Sequence, residues 1–165
     1  MDPFERVGSL LPEDAPLYQK GKEIFDLVNE VADLIPEDDL MMREIKSFML
    51  EDAGLLCVKV AGAYSIDLYD LKMESAAIIR KAGRDLLTQC SGLNMFDFQY
   101  PQYLQLIRDA VDEYRVLFAE WVKTFDPHDY VIDRWGLFNP PGVNYDDPDP
   151  DDDIPFDPED FDDQD

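Results

Sequence analysis

The chain has 165 residues, 45% apolar and 12% aromatic, enough for one domain with a real hydrophobic core. Its 38 acids against 14 bases leave a net charge of −24, which repels phosphate backbones and anionic lipid headgroups. Direct nucleic-acid binding and membrane-surface binding are therefore disfavoured, and a basic protein surface is the natural complement.

Residues 1–13 read as a lead-in. At Asp14-Ala15-Pro16 a helix begins, with Pro16 in the first turn, where its missing N–H costs little. Leu17, Gly21, Ile24, Val28, Val31 and Ile35 form its inward stripe, and Pro36 stops it. Glu37, Asp38 and Asp39 then suit the positive end of a second helix over about 40–64. Its inward face is Met42, Ile45, Met49, Ala53, Leu56, Val60 and Ala63, while Gly54, Ala61 and Gly62 mark places where another backbone could come close.

A third helix, opened by Ser65 and Asp67, is predicted to run to about residue 91. Its inward set is Leu68, Leu71, Ser75, Ile78, Ala82 and Leu86, flanked by Ala76, Ile79 and Gly83, with Gly92 as the C-terminal cap. An aromatic connection over 93–100 should lie across one end. Pro101 opens the fourth helix and Pro127 closes it. Here Leu104, Ile107, Val111, Tyr114, Phe118, Trp121 and Phe125 recur at steps of three and four, the seam of a helix that packs along its length. Gln105, Asp109, Asp112, Glu113, Glu120 and Lys123 take the other side, with Val116 the exception.

Short connections make neighbouring helices antiparallel. The fold class is therefore all-α: an antiparallel up-down-up-down four-helix bundle over 14–126, then an extended C-terminal arm over 127–145 and an acidic tail over 146–165. In the arm, Tyr130, Val131, Ile132, Trp135, Leu137 and Phe138 are too apolar for a bare linker, and Pro140, Pro141 and Gly142 prevent a long helix. It is expected to fold back over the bundle or to lie on a partner. Residues 139–165 carry twelve acids and no Lys or Arg, and the tail has the composition of a disordered segment.

Reaction chemistry is sparsely represented. A di-metal centre in a bundle wants inward carboxylates on all four helices and paired Glu-x-x-His motifs. The single histidine, His128, lies beyond the last helix. Asp52, Glu74 and Asp85 lie near inward faces without ligand spacing, and are expected to pair with Lys59, Lys72, Arg80 or Arg84. Cys57 and Cys90 fall in predicted helices with no histidine nearby in sequence, and their sparse spacing suggests reduced thiols. Phosphate-cradling glycine loops are missing, and Asp149-Pro150-Asp151-Asp152-Asp153 lacks the glycine and closing glutamate of a calcium loop. The expectation is a protein without cofactor or metal and not an enzyme. The opening residues lack a signal-peptide pattern and no apolar run reaches the roughly 20 residues of a bilayer span, so the cytoplasm is the expected compartment.

Two segments carry resemblances. Asp151-Asp152-Asp153-Ile154-Pro155-Phe156 resembles the acidic tip of bacterial single-stranded DNA-binding proteins, which many genome-maintenance enzymes bind. That tip ends in phenylalanine with a free carboxylate, whereas residues 157–165 continue this chain. In the bundle, Val60-Ala61-Gly62 is similar to the Ala-Glu-Gly segment of the small four-helix-bundle proteins of the 23S rRNA intervening-sequence family, with the glutamate replaced. Ser75-Ala76-Ala77 is similar to that family's small residues at the matching place, and the element order over 17–125 also resembles it. The resemblance implies the four-helix fold. Members tend to form rings and are often basic, some being implicated in nucleic-acid binding. The acidic bundle departs from that property, and residues 135–142 lie outside the pattern.

The function these features point to is an interaction or adaptor protein that docks on a basic protein partner. Trp135, Leu137 and Phe138 are the candidate anchors on the arm. Asp151, Asp152, Asp153, Ile154, Phe156 and Phe161 are candidates for a second, more electrostatic site, with apolar anchors entering pockets and aspartates meeting a basic rim. The alternative is a nucleic-acid mimic, in which Asp109, Asp112 and Glu113 on the bundle itself would occupy a nucleic-acid-binding cleft of a target. Self-association through Val116 or the alanine-glycine faces remains open.

Overall fold

The structure, a computed structural model, describes residues 12–150. A short 3-10 turn at Pro12–Asp14 leads into four helices: α1 (Pro16–Ala32), α2 (Leu40–Ala63), α3 (Tyr69–Met95) and α4 (Pro101–Val122). Among the described residues there is no strand. Each helix packs on two neighbours in the cycle α1–α2–α3–α4–α1, and the pairs α1/α3 and α2/α4 lie across the diagonals. This is the expected all-α, up-down-up-down bundle.

Local chemistry sets the helix ends. Pro16 and Pro101 each open a helix. Asp39 caps α2 directly, its Oδ1 accepting from the backbone N–H groups of Met41 (3.0 Å) and Met42 (3.1 Å). The helix ends differ from expectation in three places. α1 stops at Ala32, not at Ile35, because Pro36 disfavours the helical region for the residue before it. Leu34 and Ile35 instead close tight turns onto Val31 O and Ala32 O, which still leaves Ile35 buried. α3 begins at Tyr69 with no side-chain cap, so Ser65 and Asp67 do not open it; Ser65 Oγ donates back to Gly62 O at the end of α2. Gly92 is not a cap, since α3 continues to Met95 with Leu93 fully buried. α4 ends at Val122, but Phe125 reaches the core from the turn that follows.

The inward stripes of α1 and α4 are buried as the spacing requires, with Phe118 partly exposed. In α2 Ile45 is only partly buried, and Cys57 joins the face. In α3 the inward face is rotated. Ser75, Ala76, Ile79, Ala82, Leu86, Cys90 and Leu93 are buried, while Leu71 (42% exposed) and Ile78 (37%) lie outside.

One joint ties three helices. Gly21 of α1 sits so close to α2 that a Cβ there would lie 2.4 Å from Leu56 O and 2.9 Å from Leu56 C. That same carbonyl accepts a 2.7 Å hydrogen bond from the buried Tyr114 hydroxyl of α4, across the diagonal. Burial pushes the Tyr114 hydroxyl well above the ordinary tyrosine range, so it remains a donor.

The seam acids do not pair as expected. Asp85 pairs with Lys81 on its own helix, and among the described residues Asp52 and Glu74 have no ion-pair partner. The Asp52 carboxyl is pushed up to about 6, first by burial and then by the negative charge of Asp85, with Lys81 opposing. The unfolded group titrates near 4. The folded state therefore holds the proton more tightly, and stability falls as pH rises from about 4 to about 6. Asp52→Asn should stabilise the bundle at pH 7 by about 1–2 kcal/mol, allowing for solvent screening of a half-exposed group. Urea midpoints should show the gain at pH 7 and none below pH 4. An equal gain at both would contradict this assignment.

Candidate functional site

Beyond α4 the chain folds back on the start of α3. Phe125 packs edge-on against Trp121, with ring centroids 4.7 Å apart, and the Lys72 ammonium sits 5.3 Å from the centre of its ring. Asp129 O accepts from the N–H of Tyr69 at 2.8 Å, so the arm supplies an acceptor to the exposed donors at the α3 N-terminus. Ile132 and Pro140 are buried and anchor the segment.

Between those anchors lies a hydrogen-bonded loop centred on Asp133. Its Oδ1 accepts from the N–H of Trp135 (3.0 Å), and its Oδ2 from those of Leu137 (2.9 Å) and Phe138 (2.8 Å). Asn139 brackets the same residue, its Oδ1 accepting from Asp133 N (2.7 Å) while its Nδ2 donates to Asp133 O (2.9 Å). Arg134 Nη1 donates to the carbonyls of Tyr145 (3.0 Å) and Asp147 (2.7 Å) and fastens the outgoing strand of the loop. Gly136, at φ +73°, makes the turn in a conformation that L side chains rarely adopt. The hydrogen-bonded frame thus runs to Asp147, beyond residue 145.

The frame turns apolar side chains outward. Trp135 is 96% exposed and Leu137 72% exposed, while Phe138 is half-buried. Trp135, Leu137 and Phe138 line one side of a cleft of about 270 Å³; Asp70, Leu71 and Glu74 from the first turns of α3 line the other. Among the described residues Asp70 Oδ1 is buried without a hydrogen-bond partner. The three arm candidates are therefore brought together, beside two carboxylates of α3. The other six candidates, Asp151, Asp152, Asp153, Ile154, Phe156 and Phe161, lie outside the described residues.

Asp133, Arg134 and Asn139 were not among the expected site residues. An aspartate followed by a glycine three positions on and an asparagine three beyond that was a readable signal for side-chain-organised turn structure. The Phe138 amide, followed by those of Leu137 and Trp135, holds the Asp133 carboxyl below the usual carboxylate range against an opposing burial effect. The loop's stabilisation by this carboxylate is therefore present above the ordinary aspartate value and lost as pH falls through the lowered one. Asp133→Ala should speed amide hydrogen exchange at residues 135, 137 and 138 by about tenfold or more, with the helix amides unchanged. Unaltered exchange in the loop would show that Asp133 does not hold it.

Elsewhere, Cys57 and Cys90 are buried, and burial pushes the Cys90 thiol up to about 11, which keeps it protonated and unreactive at neutral pH. His128 is exposed. Among the described residues no group of three or more His, Cys, Asp or Glu side chains is placed to hold a metal ion, and no helix is long and apolar enough to cross a membrane. No family profile, curated protein or solved structure matches the chain.

Proposed function

We propose that this chain is a non-enzymatic docking protein whose bundle presents the 133–147 loop, followed by the acidic tail, to a basic protein partner. The observation that carries this reading is Trp135. A fully exposed indole is costly to leave in water, yet the backbone around it is held by hydrogen bonds to the Asp133 carboxylate and from the Arg134 and Asn139 side chains. An aromatic anchor carried on a backbone that is already ordered loses less entropy on association, which suits a binding hot spot. Asp70 and Glu74 beside the indole favour a cationic side chain in the partner, and the partner would offer an apolar pocket to Trp135 and Leu137. Asp151, Asp152, Asp153, Ile154, Phe156 and Phe161 would extend the contact, with the aspartates mainly accelerating encounter.

Ending the chain after Pro150 leaves the hydrogen bonds of Arg134 intact. This truncation should lower partner capture and flatten its dependence on salt, with the helical circular dichroism unchanged. Capture with undiminished yield and salt dependence would remove the tail from the interface.

The alternative, mimicry of a nucleic acid, draws support from the α1/α4 seam. Asp109 and Glu113 line a surface groove there together with Glu23, Asp26 and Glu30, with Lys22 the one base in the lining and Asp112 outside it. It differs from docking through the arm because Asp109→Lys with Glu113→Lys would abolish binding while Trp135→Ala would leave it intact.

A further inference from the structure

The seam between α3 and α4 is the sparsest of the four helix–helix seams, and it leaves an open groove of about 460 Å³. Its floor is apolar, formed around Gly83, Leu87 and Phe118, and Arg80, Arg84 and Arg115 stand along it with no acid among the lining residues. In a chain of net charge −24 this is an unusual concentration of positive charge. Among the described residues neither the Arg80 nor the Arg84 side chain has an ion-pair or hydrogen-bond partner, and Arg115 reaches Asp112 only at 3.8 Å.

We propose that this groove is the docking site of the chain's own segment 151–165. The segment has the complementary chemistry: nine acids, no Lys or Arg, and three large apolar side chains, Ile154, Phe156 and Phe161. The phenylalanines would enter the apolar floor while carboxylates pair with the arginines, whose planar forks accept carboxylates in bidentate fashion. Reach permits it. Trp135, Leu137 and Phe138 rest against Asp70, Leu71 and Glu74, Arg134 ties Asp147 back to that loop, and Gly83 is roughly 18 Å farther along α3 at 1.5 Å per residue. From Pro150 to Phe161 an extended chain spans about 36 Å, enough to cover that distance and pass round a helix about 10 Å across. Tethering also sets the local concentration of the segment on the order of millimolar, an advantage over any acidic peptide arriving from solution.

The groove assignment stands on its own. Its consequence rests on the reading above: a tail held on Arg80, Arg84 and Arg115 is withheld from the basic partner, which must displace it. A photoreactive phenylalanine analogue placed at Phe156 or Phe161 of the full chain, with peptide mapping after illumination, tests the assignment. Cross-links within one molecule to residues 79–87 or 111–122 are expected. They should fall at least tenfold in Arg80→Glu with Arg84→Glu, exposed positions whose reversal should leave the helical circular dichroism intact. Cross-links mapping elsewhere, joining two copies, or indifferent to the charge reversal would overturn the proposal. The same double variant should raise partner capture several-fold, and unchanged or reduced capture would contradict the withholding role. If cross-links map to the groove but truncation after Pro150 leaves capture unaltered, the tail's partner role fails and the groove assignment survives. If no groove cross-link forms but truncation weakens capture, the reverse holds.

Discussion

Trp135→Ala should weaken binding to the partner by about 30-fold or more, the roughly 2 kcal/mol that a central aromatic anchor carries. The same substitution should leave the thermal midpoint where it was. Both expectations follow from one observation: at 96% exposure the indole contributes almost no packing to the bundle, so its removal costs the fold little. The surrounding loop keeps its shape without it, because Asp133 binds the Trp135 backbone N–H and not the ring. Calorimetric titration with the purified partner, beside a melting curve for each protein, separates the two effects. Equal affinity would remove Trp135 from the interface; a large fall in melting temperature would make it a structural residue.

Gly21→Ala should be the most destabilising single-methyl addition in the core. The added Cβ would meet Leu56 O at 2.4 Å and Leu56 C at 2.9 Å, and both atoms belong to the backbone of a helix, so no rotamer change relieves the clash. Overpacking of this kind costs about 3 kcal/mol, against which alanine's better helix propensity returns about 1 kcal/mol. A net loss of roughly 2 kcal/mol should appear as a lower urea midpoint at unchanged slope. The displaced α2 backbone would also strain the bond from Tyr114 to Leu56 O, and α1, α2 and α4 should loosen together. A stability equal to that of the unsubstituted chain would mean that α1 and α2 are not so closely packed.

Four helices were legible in the sequence because each carries either a long apolar stripe or a proline at its start. Leu104, Ile107, Val111, Tyr114 and Trp121 could only be one face of a helix, and all are buried. The phase of α3 was harder to read. Its core face intersperses Ile79, Leu86 and Leu93 with the small Ser75, Ala76, Ala82 and Cys90, which weaken the pattern, so the larger Leu71 and Ile78 pull the inferred face towards them. Gly92 serves packing and not capping: α3 carries Leu93 into the core, and Ile45 lies 3.3 Å from where a Cβ of Gly92 would be. In the arm, composition marks Trp135, Leu137 and Phe138 as candidates, but it does not show the hydrogen bonds from Arg134 to residues 11 and 13 positions away. Such pairings depend on the path of the backbone, which local propensity does not encode. The α3/α4 groove is not legible in the sequence because Arg80 and Arg84 have seam acids within pairing reach by spacing, whereas in the structure Asp85 pairs with Lys81.

The most direct measurement is parallel affinity capture from the native cell with the full chain, Trp135→Ala and the chain ended after Pro150, each identified and quantified by mass spectrometry. A basic protein retained by the full chain, lost with Trp135→Ala and held less tightly and with weaker salt dependence by the truncated chain is the expected result. The same proteins recovered in the same yields by all three would contradict docking through the arm and tail.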